Sequence, residues 1–272
     1  DAGNETIVAD VGTLGGGDTF LDGSSTDSDT LSITSIGNSG TFTANRIENI
    51  NIESISGTSV LDMTNVNNTS AISVSGAVDT RIDVLDAQTK QPSITSNGYT
   101  RDLVIDAVTF AGTAAAGNAE TINVTVQGAS FGTTAATQSN ISIEANTAGT
   151  LETLNITSAG STANVYGLDA DGSTFSVVNF LGAQDMTTRV AHGDVTGLTL
   201  DASSATGTQT LRIDRTGATT TATNTNLFTG FSSFVVADSA APAVGGDAAS
   251  LSGLKSGQTV TLVDDFNSTV FG

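Results

Sequence analysis

The chain has 272 residues, 28 acidic side chains against 8 Lys+Arg, and a formal charge of −20 at pH 7. Charged residues make up only 13% of it, so the acidity reflects missing bases; such a surface repels nucleic acid and anionic lipid, which both need a basic patch. There is no cysteine, which excludes a disulfide framework and a thiolate metal site, and no apolar run approaches the ~18 residues of a membrane-spanning helix.

Taken in chain order, "NETIVADV" (4–11) already reads as strand, with no initiating Met and no signal-peptide pattern before it. We therefore expect a fragment or processed product of a longer protein. The stretch "GGGDTFLDGSSTDSDTL" (15–31) then gathers four aspartates and four glycines ahead of "DTLSITSI" (29–36), where Leu31, Ile33 and Ile36 alternate with Ser and Thr. "RIENINIESI" (46–55), "SAISVSGAV" (70–78), "TRIDVLDA" (80–87) and "RDLVIDAVTF" (101–110) continue the period of two. So do "ETINVTV" (120–126), "NISIEA" (140–145), "LETLNITSAG" (151–160) and "FSVVNFLGA" (175–183). "LTLDASS" (198–204), "TLRID" (210–214), "SSFVVADS" (232–239) and "QTVTLVDD" (258–265) complete the series. Each is short, rich in β-branched residues and closed by Gly, Asn, Asp or Ser.

Helical spacing is almost absent, because Gly, Thr and Asn interrupt every window. Candidate breaks lie at 111–120, 130–140, 217–226 and 237–258. The last, with Pro242, is expected to be a long loop holding a short helix at 247–255. No break carries a sharp change of composition, so residues 1–272 are expected to form one elongated β domain.

The fold class is all-β. Short strands with frequent turns suit a sandwich or barrel, but three features favour an irregular parallel β-solenoid. The phrases "RIENINIES" (46–54), "NAETINVTV" (118–126) and "TLETLNITS" (150–158) share an acid and then an apolar–Asn–apolar core. The inward residues are aliphatic and small, with no Trp and two Tyr, as thin coils require. Asn is poor inside ordinary strands, yet stacked Asn side chains can form amide ladders at coil turns. Tandem β-sandwiches are the alternative.

Paired carboxylates repel one another until a cation neutralises them, so the acidic surface points to Ca²⁺. Tandem calcium repeats of the repeats-in-toxin type read G-G-x-G-x-D-x-U-x, with glycines turning backbone carbonyls to the ion and U packing inside. Residues 15–31 keep "GGGDTFL", a second "DG" and a second "DTL", without the regular spacing. Asp18, Asp22, Asp27 and Asp29 are the candidate ligands; the competing reading is a plain Asp/Gly turn. "LDADGS" (168–173) offers Asp169 and Asp171 as a weaker pair, with no downstream Glu at the EF-hand position. Asp264 and Asp265 could share a cation or lie in a solvated turn. His192 is alone, so a zinc site is not expected.

Catalysis is not expected. Solenoid enzymes acting on polysaccharides use paired carboxylates or an Arg/Lys base in a cleft, and here bases and aromatics are scarce. Asp169 with Asp171 is the local dyad, and a turn explains it better. Threonine-rich phrases such as "TTTATNTN" (219–226) and "TFTAN" (41–45) lack the fixed register of a flat Thr array and read as surface strand or loop.

"GGGDTFLDGSSTDSDTLSITSIG" (15–37) followed by "RIENINIES" (46–54) resembles the calcium-dependent surface-layer (S-layer) proteins of Gram-negative bacteria related to the repeats-in-toxin family. The resemblance covers residues 15 to 55; beyond them the chain matches in style alone, and the glycine pattern of 1–31 is degenerate. It implies an extracellular structural protein exported by type I secretion, folded on meeting Ca²⁺ and self-assembled into a two-dimensional lattice. A region outside this chain would contact cell-surface polysaccharide. The alternatives are a stalk or binding segment of a type I-secreted adhesin and, more remotely, a β-helical polysaccharide-degrading enzyme.

Overall fold

The computed structural model describes residues 3–10, 13–24, 26–35, 37–55, 59–76, 82–85, 92–106, 121–130, 139–144, 153–169, 176–191, 198–215, 221–224, 228–238, 248–263 and 268–271. Among these the regular structure is all strand, every pairing is parallel, and no helix occurs.

One sheet has ten strands. Its order is β1 (Thr6–Asp10), β3 (Thr30–Ser35), β5 (Asn49–Ser54), β8 (Ala71–Gly76) and β10 (Ser93–Asn97), then β12 (Thr121–Gln127), β14 (Thr153–Ala159), β16 (Val177–Gly182), β18 (Thr199–Asp201) and β21 (Phe228–Thr229). A second sheet has nine. It runs through β6 (Ser59–Asp62), β9 (Ile82–Leu85), β11 (Leu103–Asp106), β13 (Asn140–Glu144) and β15 (Asn164–Asp169) to β17 (Met186–Ala191), β19 (Gln209–Arg215), β22 (Ser233–Asp238) and β24 (Thr259–Val263). Two three-stranded sheets flank them: β2 (Thr19–Leu21), β4 (Thr43–Asn45) and β7 (Asn65–Asn67) in the first coils, and β20 (Thr221–Asn224), β23 (Ala248–Ser252) and β25 (Ser268–Phe271) in the last.

From β5 to β19 the chain visits the two long sheets in turn, apart from the short detour through β7, and each strand pairs with its counterparts one coil before and one coil after. This is a parallel β-solenoid, and parallel stacking rules out the hairpin-connected sandwiches. Coil length varies widely: Asp29 donates its amide to Glu48, 19 residues on, whereas Asn155 meets Asn123 across 32. The solenoid is therefore irregular, as the uneven phrases imply.

Its core is a set of inward columns. Leu31, Ile50, Ile72, Ile94, Val124, Ile156 and Phe180 lie in register along the ten-stranded sheet, all buried. The core is less aliphatic than composition suggests: Phe42 is fully buried in the early coils, where Phe20 packs edge to face on it with centroids 6.1 Å apart. Further on, Phe180 and Phe231 pack edge to face with centroids 5.4 Å apart, Phe231 meets Phe234 at 6.1 Å, and both Tyr99 and Tyr166 are fully enclosed. Five-ångström contacts of this kind add to area burial through the ring quadrupoles.

Two sequence expectations are corrected. The short helix expected at 247–255 is strand over Ala248–Ser252, and the strand β22 extends to Asp238, so the long loop expected at 237–258 is interrupted at both places. The three repeated phrases are also out of step by two residues: Asn123, Asn155 and Asn179 share a column with Asn49, not with Asn51. A shift of two preserves the in/out alternation, so sequence pattern cannot detect it. The Asn ladder itself is real. Asn155 donates to Asn123 and Asn179 to Asn155, each at 2.9 Å, on the outward face of strands and not in turns. At a turn, Asn68 does donate to Asn45 at 3.1 Å, with φ of 67°.

Candidate metal centre in the first coils

Glu5, Asp29 and Glu48 each stand one residue before a strand of the ten-stranded sheet, and the register of those strands stacks them one per coil. Each junction is tied through backbone as well as side chain. The amide of Glu5 donates to Asp29 Oδ1 and that of Asp29 to Glu48 Oε2, both at 2.9 Å, while Thr30 N–H reaches Glu5 O and Asn49 N–H reaches Asp29 O. Asp29 is buried. Its carboxylate is accounted for as a fastener between coils.

Asp22 closes the short strand β2. Its amide donates to Asn45 O at 3.2 Å and its carboxylate accepts the Ser24 amide, while Arg46 holds the following turn by donating to Gly23 O at 2.9 Å. Asp27 lies in the return to β3, and the adjacent Ser28 amide is held by Asn4 Oδ1 at 2.9 Å. Stacking thus brings Asn4 and Glu5 against Asp22, Asp27 and Ser28. One carboxylate oxygen from each of Glu5, Asp22 and Asp27 falls within 4.8 Å of the others.

The electrostatics of the three differ. Glu5 lies at the surface, and partial desolvation raises its pKa above the ordinary value, helped by the charge of Asp29 and a hydrogen bond between the two carboxyl groups. For Asp22 desolvation also pushes upward, but the pKa is lowered overall, with the Ser24 and Gly23 amides donating to the carboxylate. Both carboxylate oxygens of Asp27 are closed off from solvent, and neither has a hydrogen-bond partner.

Other acids show the usual solution. Asp62 accepts hydroxyl protons from Thr41 at 2.8 Å and Thr64 at 2.6 Å, Asp201 accepts from Thr229 at 2.6 Å, and Asp214 bridges Arg189 and Arg212 at 2.8 and 2.7 Å. Burial of a carboxylate is tolerated only with such partners, since desolvation otherwise costs several kcal/mol. Three carboxylates without an imidazole or thiolate form an all-oxygen set, suited to a hard cation such as Ca²⁺ and poorly suited to zinc.

Of the residues expected from sequence, Asp22 and Asp27 meet in this cluster. Asp29 is beside it as the inter-coil fastener. Asp18 is apart: its carboxylate accepts the Gly15 amide at 2.8 Å, its own amide returns to Gly15 O, and its carbonyl takes Thr43 N–H, which is the plain-turn reading of that position. Asp169 ends β15 on the exposed side. Asp171, His192, Asp264 and Asp265 lie outside the described residues. Glu5 was missed, because its nearness to Asp22 and Asp27 comes only from the pairing of Thr6 with Thr30.

Comparison with known proteins gives no match to a family model, to a curated protein or to a solved structure.

Proposed function

We propose that this protein is a structural component of a bacterial surface layer, stabilised by Ca²⁺ and self-assembling into a two-dimensional lattice outside the cell. The observation that supports this reading is the fold: among the described residues, parallel coils stack in register, with Ser, Thr and Asn frequent at their outward positions. Such a body suits a rigid building element, since each coil supports its neighbours through in-register pairing and a continuous core. The resemblance of residues 15–55 to calcium-dependent surface-layer proteins supports the same role. So does the charge of −20, which divalent cations would neutralise on folding. Val8 and Leu21, 77% and 66% exposed on the first coils, are apolar side chains that a neighbouring subunit would cover. Export by a type I pathway and attachment to surface polysaccharide through another region belong to the same proposal.

The test is light scattering with negative-stain electron microscopy on the chain in EGTA and then in millimolar Ca²⁺. Ordered sheets that form only with Ca²⁺ are expected. Elongated monomers in both conditions would replace the lattice role with that of an adhesin stalk.

A further inference from the structure

We propose that Glu5, Asp22 and Asp27 form a divalent-cation site that clasps the start of β1 to the loop between β2 and β3. Two independent observations meet here. The first is geometric: the three side chains come from separate points of the chain, yet each can place an oxygen within 4.8 Å of the others. The second is the state of Asp27, whose two carboxylate oxygens are withdrawn from solvent with no donor to satisfy them. A carboxylate so placed needs a positive partner, and the flanking hydrogen bonds hold it where it is. Ser28 N–H is fixed on Asn4, Glu5 N–H on Asp29, and Asp22 N–H on Asn45.

The oxygen-only ligand set selects a hard cation. Ligands drawn from a strand start and an irregular Ser/Asp/Gly turn suit the larger, irregular coordination of Ca²⁺ better than the octahedron that Mg²⁺ demands, with main-chain carbonyls or water completing the shell. Calcium as the ion rests on the reading of the protein as Ca²⁺-stabilised; the site itself rests on the orphaned Asp27. Bound there, the ion would join residues 4–5 to 22–27 and so hold the first coil onto the second.

The experiment is calorimetric titration of Ca²⁺ into the EDTA-stripped full chain, with thermal melts with and without Ca²⁺, for wild type, Asp27→Asn and the control Asp18→Asn. Wild type is expected to bind and to melt higher with Ca²⁺. Asp27→Asn is expected to lose at least tenfold in affinity for one site, to melt no lower than wild type without Ca²⁺, and to show the wild-type circular dichroism spectrum; Asp18→Asn should bind as wild type does. Unchanged binding by Asp27→Asn would overturn this site while leaving a Ca²⁺-stabilised protein with ligands elsewhere. Absence of any binding by wild type at millimolar Ca²⁺ would overturn both. A metal-free melt of Asp27→Asn well below wild type would also refute the site, because it would mean that the carboxylate already has a stabilising partner.

Discussion

Tyr166 and Thr188 offer a sharp test of how the coils are held together. They face each other across the register of β15 and β17, and Thr188 Oγ1 donates to Tyr166 Oη at 2.9 Å. Neither side chain is exposed: Tyr166 is at 0% and Thr188 at 1%. Burial raises the tyrosine pKa, with the Thr188 hydrogen bond acting the other way, so the phenol is neutral at neutral pH. Tyr166→Phe keeps the ring and strands the Thr188 hydroxyl; Thr188→Val keeps the shape and strands the phenol. Each should cost about 1–3 kcal/mol, the penalty for leaving one buried polar group without its partner. The double variant removes both polar groups together and should cost less than either single change, on the order of 0–1 kcal/mol. The expected coupling is thus roughly 2 kcal/mol or more in favour of the pair. Urea unfolding followed by far-ultraviolet circular dichroism on all four proteins measures it. Losses that simply add would refute the reasoning, as would a Tyr166→Phe variant of wild-type stability.

Three further outcomes follow from local geometry. Gly182 has φ of +103°, and a Cβ there would sit 2.2 Å from Ser158 O, whereas Gly98 at φ +62° has nothing within 4 Å. Gly182→Ala should therefore cost about 2–4 kcal/mol against roughly 1 for Gly98→Ala, read from denaturation midpoints; equal losses would mean that the dihedral alone matters. Ser54 Oγ is buried without a partner, whereas Ser158 Oγ accepts from Asn164 at 2.8 Å. Ser54→Ala should leave stability unchanged or raise it by up to about 1 kcal/mol, while Ser158→Ala should lower it by about 1–2 in the same assay. Asp201 has its pKa lowered by hydrogen bonds from Thr229 and Ser203, so its contribution is present above the ordinary carboxyl range and is lost as pH falls through the depressed value. Asp201→Asn should thus melt below wild type at neutral pH, with the gap closing as pH drops below about 4; a gap independent of pH would exclude this ionisation as the cause.

Strand existence was legible because the alternation of β-branched and small polar residues is itself the physical cause of a one-sided strand. An amphipathic helix leaves a different period, whereas a sandwich shares the period of two and is separated from a solenoid only by the pairing. Strands that broke the pattern were missed: β15, "NVYGLD", buries Gly167 within it, and β17, "MTTRVA", turns a threonine inward because Tyr166 waits there to accept its proton. The acidic stretch likewise announced an excess of carboxylates without showing which would meet.

Sequence by itself determined the all-β character and the acidic excess, favoured stacked coils over sandwiches and offered two members of the acidic cluster, since these follow from periodicity and from residue type. Tertiary structure alone decided the register of the coils, the aromatic packing within them and the entry of Glu5 beside Asp22 and Asp27. The physical reason is the period of two. Sliding a strand by two residues leaves every side chain on its own face, so local pattern is blind to it, and only the pairing of whole coils determines which carboxylates stand together.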